Sequence, residues 1–487
     1  MARIELVETS LRDGNQCLWG ALGVDTAKTL TIAPVMERAG FKAIDFTTST
    51  HMGVAVRYKQ EDPWERIRGM AQICKDTPLQ FLSTGFRFIA WETASPEFME
   101  LAFRTLATNG MRRFALADPM NDATSNVEVA RMVKRSGGDQ VIGALVYTIS
   151  PIHDDAHYAE AARIMAASPD VDALYIKDPG GLLTSRRART LIPAILAEIG
   201  DKPLEIHSHS TIGLAEQTYL EAAELGVTGV QCASGGAADG TSHPPMRRTI
   251  ANLREMGHEV EIDDEAVAEI SDYFTALAEA EGYPTGHPMA FDAAYFHHQL
   301  PGGMVGTMRR HLSDHGVPEL EGKVIAEMGR IREELGWPIV MTPFAQMLQT
   351  QAVMNVTGTE RYAVIPDEII RYALGKFGRP NVPIAPEVMD KIIANPRTRE
   401  LDAEPGMADL KTLRKRIGEY LSDEEFLLRA TMPANLVDAM LEQGPAPRHY
   451  DPKVRPVMEL LRQLLARTDL SHIAIEKEGF RLELEAD

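Results

Sequence analysis

The sequence predicts an α/β protein: a (β/α)8 TIM barrel followed by a helical domain and a short C-terminal hairpin-like tail. Short apolar and β-branched runs alternate with helical stretches over the first 240 residues. Helical patterns interrupted by prolines follow from about Pro301, and residues 471–485 alternate between apolar and polar side chains. With 487 residues the chain is too long for one ordinary domain, so a barrel with additions is the natural expectation.

The predicted barrel is built from eight strand candidates. They are Arg3–Glu8, Ala43–Thr47, Leu79–Ser83, Arg113–Leu116, Val141–Tyr147, Ala173–Ile176, Leu204–His207 and Gly229–Cys232. Helical segments lie between them, among them Thr26–Ala39, Pro63–Cys74, Pro96–Thr108, Ala156–Ala167 and Leu214–Leu225. Alternating strands and helices with short connections indicate a parallel sheet, and eight strands close a barrel. An open doubly wound sheet is the alternative, disfavoured because no glycine-rich phosphate loop follows the first strand.

Two further parts follow the barrel. The helical region is predicted from five segments: Glu321–Leu335, Phe344–Val356, Pro366–Leu374, Pro386–Ala394 and Asp409–Glu419. After it we expect a proline-containing stretch, a helix at Val457–Ala466 and a hairpin over Ser471–Glu485 with a Glu478-Gly479 turn. The predicted divisions are therefore a barrel domain over residues 1–300, a helical domain over 301–430, and a linker, helix and assembly tail over 431–487.

Composition excludes several classes of function. The net charge of −20 disfavours nucleic acid, because a phosphate backbone would be repelled. No run of 18 apolar residues occurs and Met1 leads directly into a strand-like segment, so neither a membrane span nor a secretory signal is expected. The three cysteines have no short paired spacing, which argues against a thiolate zinc site and favours a reducing, cytoplasmic compartment.

Four polar residues fall at the carboxyl ends of predicted strands, where barrels place their chemistry. Asp13 follows strand one, Lys177 ends strand six, and His207 and His209 end strand seven. Residues i and i+2 of an extended chain face the same side, so both imidazoles can reach one ion. Taken singly, each residue has a structural explanation: a helix cap for the aspartate, an ion pair for the lysine, a packed pair for the histidines. Together they predict a divalent metal, zinc, manganese or cobalt, that can polarise a carbonyl.

Motifs in the same order along the chain resemble those of the biotin-dependent carboxyltransferases, the family of the pyruvate carboxylase central domain, the oxaloacetate decarboxylase alpha subunit and the transcarboxylase 5S subunit. The matching segments run from about residue 5 to residue 400. They are Glu8–Gln16, Asp62–Arg66, Met120–Asp122, Tyr147–Pro151, Ile176–Asp178, Gly181–Leu183, His207–Thr211, Pro301–Met304, Thr342-Pro343 and Thr350–Val356.

The resemblance implies carboxyl transfer to or from biotin. It implies that Asp13, His207, His209 and Lys177 are the metal ligands, the lysine as its N-carbamate. It also implies that Gln16 holds the substrate, with Ser210 or Thr307 relaying a proton. No Met-Lys-Met biotinylation signature occurs, so biotin is expected in trans, on a biotin carboxyl carrier chain that works with a biotin carboxylase subunit. A homodimer through the barrel is the family's usual state.

The sequence departs from the family at residues that would line the substrate pocket. Members that use pyruvate carry an arginine after strand three, where this chain has Thr84; Arg87 lies three positions further on. Thr47 begins the segment that replaces the family's Trp-Gly-Gly-Ala, and the relay threonine maps to Gly306, next to Thr307. Because a hydroxyl cannot replace a bidentate guanidinium clamp on a carboxylate, the acceptor is expected to be an enolisable carbonyl compound that need not be pyruvate.

Two other functions remain open from the sequence. A biotin-independent carbon–carbon lyase of the same barrel group, aldolase-like, would need an acid/base residue near the metal, for which His243 and Cys232 are candidates. A scaffold without catalysis is the other, and the retained ligand set argues against it.

Overall fold

A computed structural model describes residues 2–90, 92–301, 304–314, 316–378, 380–452, 464, 472–477 and 480–485. Eight parallel strands close into a barrel in sequence order, which confirms the predicted fold class and rules out the open sheet. The strands are β1 Glu5–Glu8, β2 Ala43–Thr48, β3 Leu79–Ser83, β4 Arg113–Leu116, β5 Gln140–Val146, β6 Ala173–Asp178, β7 Leu204–Ser208 and β8 Gly229–Cys232. Strand β1 pairs with both β2 and β8, and this pairing closes the cylinder.

Helices cover the barrel and form most of the remaining described chain. Those of the barrel and its loops are α1 Asn15–Trp19, α2 Thr26–Ala39, α3 Ser49–Val54, α4 Pro63–Ile73, α5 Pro96–Thr108, α6 Ala123–Arg135, α7 Asp155–Ala166, α8 Ser185–Ile199, α9 Ala215–Glu224, α10 Met246–Glu255 and α11 Asp264–Glu281. The later helices are α12 Tyr295–His298, α13 Met304–Asp314, α14 Glu321–Glu334, α15 Phe344–Thr357, α16 Asp367–Ala373, α17 Pro386–Ala394, α18 Pro396–Asp402, α19 Leu410–Ile417, α20 Asp423–Thr431 and α21 Ala434–Gln443.

Capping side chains explain why the barrel helices begin where they do. Asp25 accepts the Lys28 backbone N–H at the start of α2, and Ser95 precedes Pro96 and accepts the Phe98 backbone N–H at the start of α5. Such caps satisfy backbone donors that have no partner inside the first helical turn. They lie at the carboxyl-terminal mouth of the barrel, so they also hold the ends of the loops that carry polar residues.

Two hydrophobic cores divide the chain. One combines the barrel strands, the surrounding helices and the last described helices, because Leu413, Phe426 and Val437 belong to it. The rings of Phe98 and Phe426 lie 6.2 Å apart, so α20 packs on the barrel helix α5. The other core joins inward-facing barrel residues such as Tyr175 to α13 through α18. The helices after the barrel therefore pack in two separate places. Helices α13 to α18 share a core with the inward-facing barrel residues, and α19 to α21 pack against the outside core of the barrel.

The C-terminal tail contains the predicted hairpin. Strands β9 His472–Lys477 and β10 Phe480–Glu485 pair antiparallel, and they form a separate two-stranded sheet in the part of the chain that the structure describes. The Glu478-Gly479 turn and, apart from Leu464, the predicted helix Val457–Ala466 lie outside the described residues. Of the helices that the structure describes, none has the length and apolar character needed to cross a membrane.

Burial of His153 should make stability depend on pH. Burial lowers the pKa of His153 to about 3, whereas a histidine in the unfolded chain titrates near 6.5. As pH falls below 6.5 the unfolded state binds a proton that the folded state does not, so the free energy of unfolding falls by about 1.4 kcal/mol per pH unit. The free energy of unfolding, measured with urea at pH 7 and at pH 5, should fall between these two pH values by about 2 kcal/mol less in His153→Gln than in the wild type. Equal drops in both proteins would contradict the prediction.

Candidate metal centre

The turn after β1 carries Asp13 into the mouth of the barrel. Residues Ser10–Gly14 form a π-helical turn, and Asp13 is 3% exposed within it. A Cβ on Gly14 would lie 2.6 Å from the Ala237 carbonyl oxygen, so only glycine allows this turn to pack against the loop after β8. Arg12 fixes the carboxylate from behind: its Nη1 lies 2.9 Å from Asp13 Oδ2, and its other nitrogens pair with Asp45 on β2.

Four ligand atoms converge at this point. Asp13 Oδ2 lies 3.1 Å from His207 Nε2, 3.6 Å from His209 Nε2 and 3.3 Å from His243 Nε2. All four residues are buried, and one ligand atom from each lies within 4.8 Å of the others. His207 is on β7, His209 follows that strand, and His243 comes from the long loop after β8. The structure thus places Asp13, His207 and His209 together, as predicted, adds His243, and leaves the fourth predicted ligand, Lys177, beside them.

Hydrogen bonds behind the rings fix the tautomer of each imidazole. His207 Nδ1 lies 2.8 Å from Gln231 Oε1, and His209 Nδ1 lies 2.8 Å from the Thr241 carbonyl oxygen. Both partners are acceptors, so each Nδ1 carries a proton and donates it. His243 Nδ1 lies 2.8 Å from Thr9 Oγ1, whose own proton goes to the Cys232 carbonyl, so this Nδ1 also donates. The three Nε2 atoms are left with lone pairs directed at one another.

Such a cluster fits a cation. His207 Nε2 lies 3.3 Å from His209 Nε2 and 3.2 Å from His243 Nε2, contacts at which two lone pairs repel. No described residue donates a hydrogen bond in good geometry to Asp13 Oδ2, although it is buried. Burial lowers the pKa of His207 far below its usual range, with Lys177 adding to the effect, and it lowers the pKa of His243 to about 3. Neutral imidazoles beside an ionised carboxylate are the ligand set of a divalent transition metal.

Lys177 stands at the edge of this cluster. Its Nζ lies 3.0 Å from His207 Nε2 and 4.0 Å from Asp13 Oδ2. Burial lowers the pKa of this amine to about 8, although Asp13 opposes the shift. The neighbouring Asp178 has a structural task instead, because its carboxylate accepts the backbone N–H groups of Leu182 and Leu183 and the Ser208 hydroxyl.

Comparisons with known proteins identify the family. Residues 3–274 match the family described as HMGL-like, and residues 296–471 match the conserved carboxylase domain. The chain is 31% identical to a pyruvate carboxylase subunit of Methanocaldococcus jannaschii over 481 residues, which is 96% of this chain and 83% of the relative. The chain belongs to the biotin-dependent carboxyltransferase family.

Other family members support the same assignment. The chain is 28% identical to the 2-oxoglutarate carboxylase large subunit of Hydrogenobacter thermophilus, covering 92% of this chain and 70% of that protein. It is 29% identical to the methylmalonyl-CoA carboxyltransferase 5S subunit of Propionibacterium freudenreichii subsp. shermanii, covering 77% of this chain and 74% of that one. The fold matches the carboxyl transferase domain of Rhizobium etli pyruvate carboxylase solved with pyruvate, with a TM-score of 0.83 and 21% identity over 99% of this chain and 83% of that one.

Three of the residues predicted to bind the substrate or to relay its proton lie at the same end of the barrel as the cluster. Gln16 is half-buried on α1, three residues after Asp13. The Ser210 hydroxyl is buried directly after His209 and has no hydrogen-bond partner among the described residues. Thr47 is 5% exposed near the carboxyl end of β2. All three therefore stand on the face of the barrel that carries the ligands.

The other predicted substrate residues lie further towards the helical region. Thr84 is half-buried after β3. Arg87 is buried; its Nη1 lies 3.4 Å from the Thr84 carbonyl oxygen, its Nη2 lies 3.3 Å from the Phe377 carbonyl oxygen, and its guanidinium stacks on the Phe377 ring. It lines a cavity of about 250 Å³ with Asp118. Thr307 lies within α13, and its side chain is outside the described residues.

Sequence reasoning missed the place of His243 and of Arg12. His243 lies in the loop after β8, eleven residues beyond the last residue of the strand, and its position in the sequence suggests only an acid/base group for a lyase. A histidine in a loop has no periodicity that would point it at a strand end. Arg12 is visible as part of the Arg-Asp motif, but its pairing with Asp45 depends on the contact between β1 and β2.

Proposed function

We propose that this chain is the metal-dependent carboxyltransferase subunit of a multi-subunit biotin-dependent carboxylase or decarboxylase. The observation that carries the proposal is the buried group of Asp13, His207, His209 and His243, in which three imidazole Nε2 atoms lie within 3.6 Å of one carboxylate oxygen. The match to the conserved carboxylase domain over residues 296–471 supports transfer rather than a lyase of the same barrel type. Three free cysteines are consistent with a reducing cytoplasm.

Asp13, His207 and His209 would hold a divalent zinc, manganese or cobalt ion, with Lys177 beside it as the ligand that the family resemblance implies. The ion would polarise the acceptor's carbonyl oxygen and so acidify the neighbouring C–H group. Biotin, carried on a separate chain, would supply or accept the carboxyl group. We propose a biotin carrier chain and a biotin carboxylase as partners, and a homodimer through the barrel.

The chain's own residues would orient the acceptor and move one proton. Gln16 would donate its amide N–H to an acceptor oxygen. The Ser210 hydroxyl is buried beside His209 without a described partner, so it could relay the proton of the acidified C–H group to the ureido group of biotin, which would be the base, with Thr307 as the alternative relay. Burial of the ligand residues excludes water, which protects the reactive carboxyl group from loss.

The acceptor is proposed to be an enolisable carbonyl compound for which pyruvate is not the favoured choice. Thr84 offers a hydroxyl where pyruvate-using relatives offer a guanidinium, and a bidentate Arg–carboxylate pair cannot be reproduced by one hydroxyl. The guanidinium of Arg87 contacts two backbone carbonyls and stacks on the Phe377 ring, so it would have to give up these contacts to bind a carboxylate in place of the missing arginine. Thr47 and Thr84 would then line a substrate pocket whose shape differs from that of the pyruvate-using relatives.

Purification of the native protein followed by a streptavidin blot and a radiolabelled carboxyl-transfer assay tests the proposal. We expect a biotinylated polypeptide to co-purify, and we expect it to exchange label with one member of a panel of α-keto acids and acyl-CoA esters. Transfer should be lost after chelation and restored by metal. Metal-dependent carbon–carbon cleavage that needs no biotinylated chain would instead support the lyase.

A further inference from the structure

A cavity of about 630 Å³ lies between the loop after β5 and helices α12 and α14. Ser150 lines it from the barrel side, Phe296 from α12, and Trp337 from the segment after α14. Among the described residues that line it, none belongs to the metal cluster. The volume is within the range of cavities that hold small organic ligands, so this cavity can take a ligand of its own.

The charge of this lining is opposite in sign to that of the whole chain. Arg330, Arg332 and His297 border the cavity, whereas its described lining contains no aspartate or glutamate. The chain as a whole has 70 acidic residues against 50 basic ones. A cationic cavity in an acidic protein attracts an anion and repels a metal ion.

Arg332 is the buried charge of this cavity, and it has no acidic partner among the described residues. Its side chain belongs to a residue that is 3% exposed, and burial lowers the pKa of the guanidinium to about 10. Three of its five N–H groups donate to oxygens of Thr148, Ile149 and Pro338, at 2.6 to 2.9 Å. These contacts tie the loop after β5 to α14, but all three oxygens are uncharged. An anion in the cavity would supply the missing countercharge.

The rim of the cavity adds a second guanidinium and two aromatic walls. The side chain of Arg330 is 60% exposed, and its only contact with a described carboxylate is that of Nε with Glu334, at 3.1 Å. Both of its Nη groups are therefore left for a ligand. Phe296 and Trp337 are half-buried in the walls. Guanidinium groups bind carboxylate or phosphate oxygens in pairs, and aromatic rings pack on flat apolar groups.

We propose that this cavity is a second ligand site, which binds a small organic anion in which a carboxylate or phosphate is joined to a flat apolar body. Arg332 and Arg330 would bind the oxyanion, while Phe296 and Trp337 would contact the body. A purely structural role for Arg332 accounts for its three hydrogen bonds, but not for a cationic cavity beside it. The site does not depend on the proposed carboxyl transfer, because it shares no described lining residue with the metal cluster.

Isothermal titration calorimetry on the full chain tests the proposal with five probes. ADP and phenylpyruvate each join an oxyanion to a flat ring, whereas adenosine, inorganic phosphate and pyruvate each offer one half. We expect ADP or phenylpyruvate to bind at least about ten-fold more tightly than its halves, because both parts of the cavity are then used. Tighter binding of ADP would identify a phosphate ligand, and tighter binding of phenylpyruvate would identify a carboxylate.

Two variants place the bound probe in this cavity. Gly329→Leu on α14 fills the space without a clash at Cβ, which would meet only the His297 carbonyl oxygen, at 4.0 Å. It should abolish binding, and Arg330→Gln should weaken binding about ten-fold through the loss of charged hydrogen bonds. Arg371→Gln is the matched control and should bind as the wild type does. It removes another glutamate-paired arginine of the helical region, one that does not line the cavity.

The outcomes that would overturn the proposal are equally definite. They are a wild type that binds neither ADP nor phenylpyruvate, halves that bind as tightly as the joined probes, and an affinity that Gly329→Leu leaves unchanged. Arg330 is a surface residue, so an unchanged affinity in Arg330→Gln overturns the proposal even where Gly329→Leu fails to fold. A probe that binds at the metal centre would be recognised because neither variant would alter its affinity.

Discussion

Exchanging His207 for alanine should remove the bound metal and lower carboxyl transfer by roughly a thousand-fold or more while the barrel stays folded. A metal acting as a Lewis acid contributes several kcal/mol to transition-state stabilisation, and each 1.4 kcal/mol is about a factor of ten in rate. His207 contacts Asp13 and two other imidazoles, so it is the central member of the proposed ligand set. Its loss should therefore remove most of the affinity for the metal. Metal analysis of the dialysed protein and an assay with saturating carrier would measure both effects.

His258→Ala is the matched control for that experiment. His258 is also a buried histidine paired with a carboxylate, its Nε2 lying 3.0 Å from Glu224 Oε1. It is next to Glu259, which bridges to Arg3 just before β1, at the opposite end of the barrel from the ligands. This variant should keep its metal and its rate. A metal-free His207→Ala protein with full activity would refute the role of the metal.

The predictable part of the molecule is the part encoded by local patterns. Strand bounds agree to within about two residues, because short apolar and β-branched runs mark the strands locally, and capping residues such as Asp25 and Ser95 mark the starts of helices. His207 and His209 could be paired from their i, i+2 spacing at a strand end. These features need no knowledge of which residues meet in the folded chain.

The unpredicted part depends on contacts between distant segments. His243 reaches the cluster only because the loop after β8 folds over the barrel mouth, where Ser210 N–H donates to the Ser242 carbonyl oxygen at 2.7 Å. The packing of α20 against α5 depends on Phe98 and Phe426, which are more than 300 residues apart. Neither contact leaves a periodic trace in the sequence, so pattern reasoning had no means to find it.

Replacing Arg113 with methionine should lower the free energy of unfolding by about 3 to 5 kcal/mol, the usual loss when one partner of a buried ion pair is removed. Arg113 and Glu205 are 1% and 0% exposed and form an ion pair inside the barrel. Without the guanidinium, Lys42 is the remaining cationic partner of Glu205 among the described residues, and its Nζ lies 3.3 Å away and nearer the surface. Urea unfolding would measure the loss. Arg112→Met, one residue earlier and only half-buried, should change stability by no more than about 0.5 kcal/mol.

The same ion pair also connects stability to the metal. Gln231 Nε2 donates to Glu205 Oε2 at 3.3 Å, and Gln231 Oε1 accepts from His207 Nδ1. A Glu205 released from Arg113 would no longer hold Gln231 in the orientation that fixes the His207 tautomer, so cobalt affinity should fall about ten-fold as well. Adding Glu205→Gln to Arg113→Met should recover part of the stability, because it removes the uncompensated charge. If the double variant were no more stable than Arg113→Met, the loss would come from packing and not from the buried carboxylate.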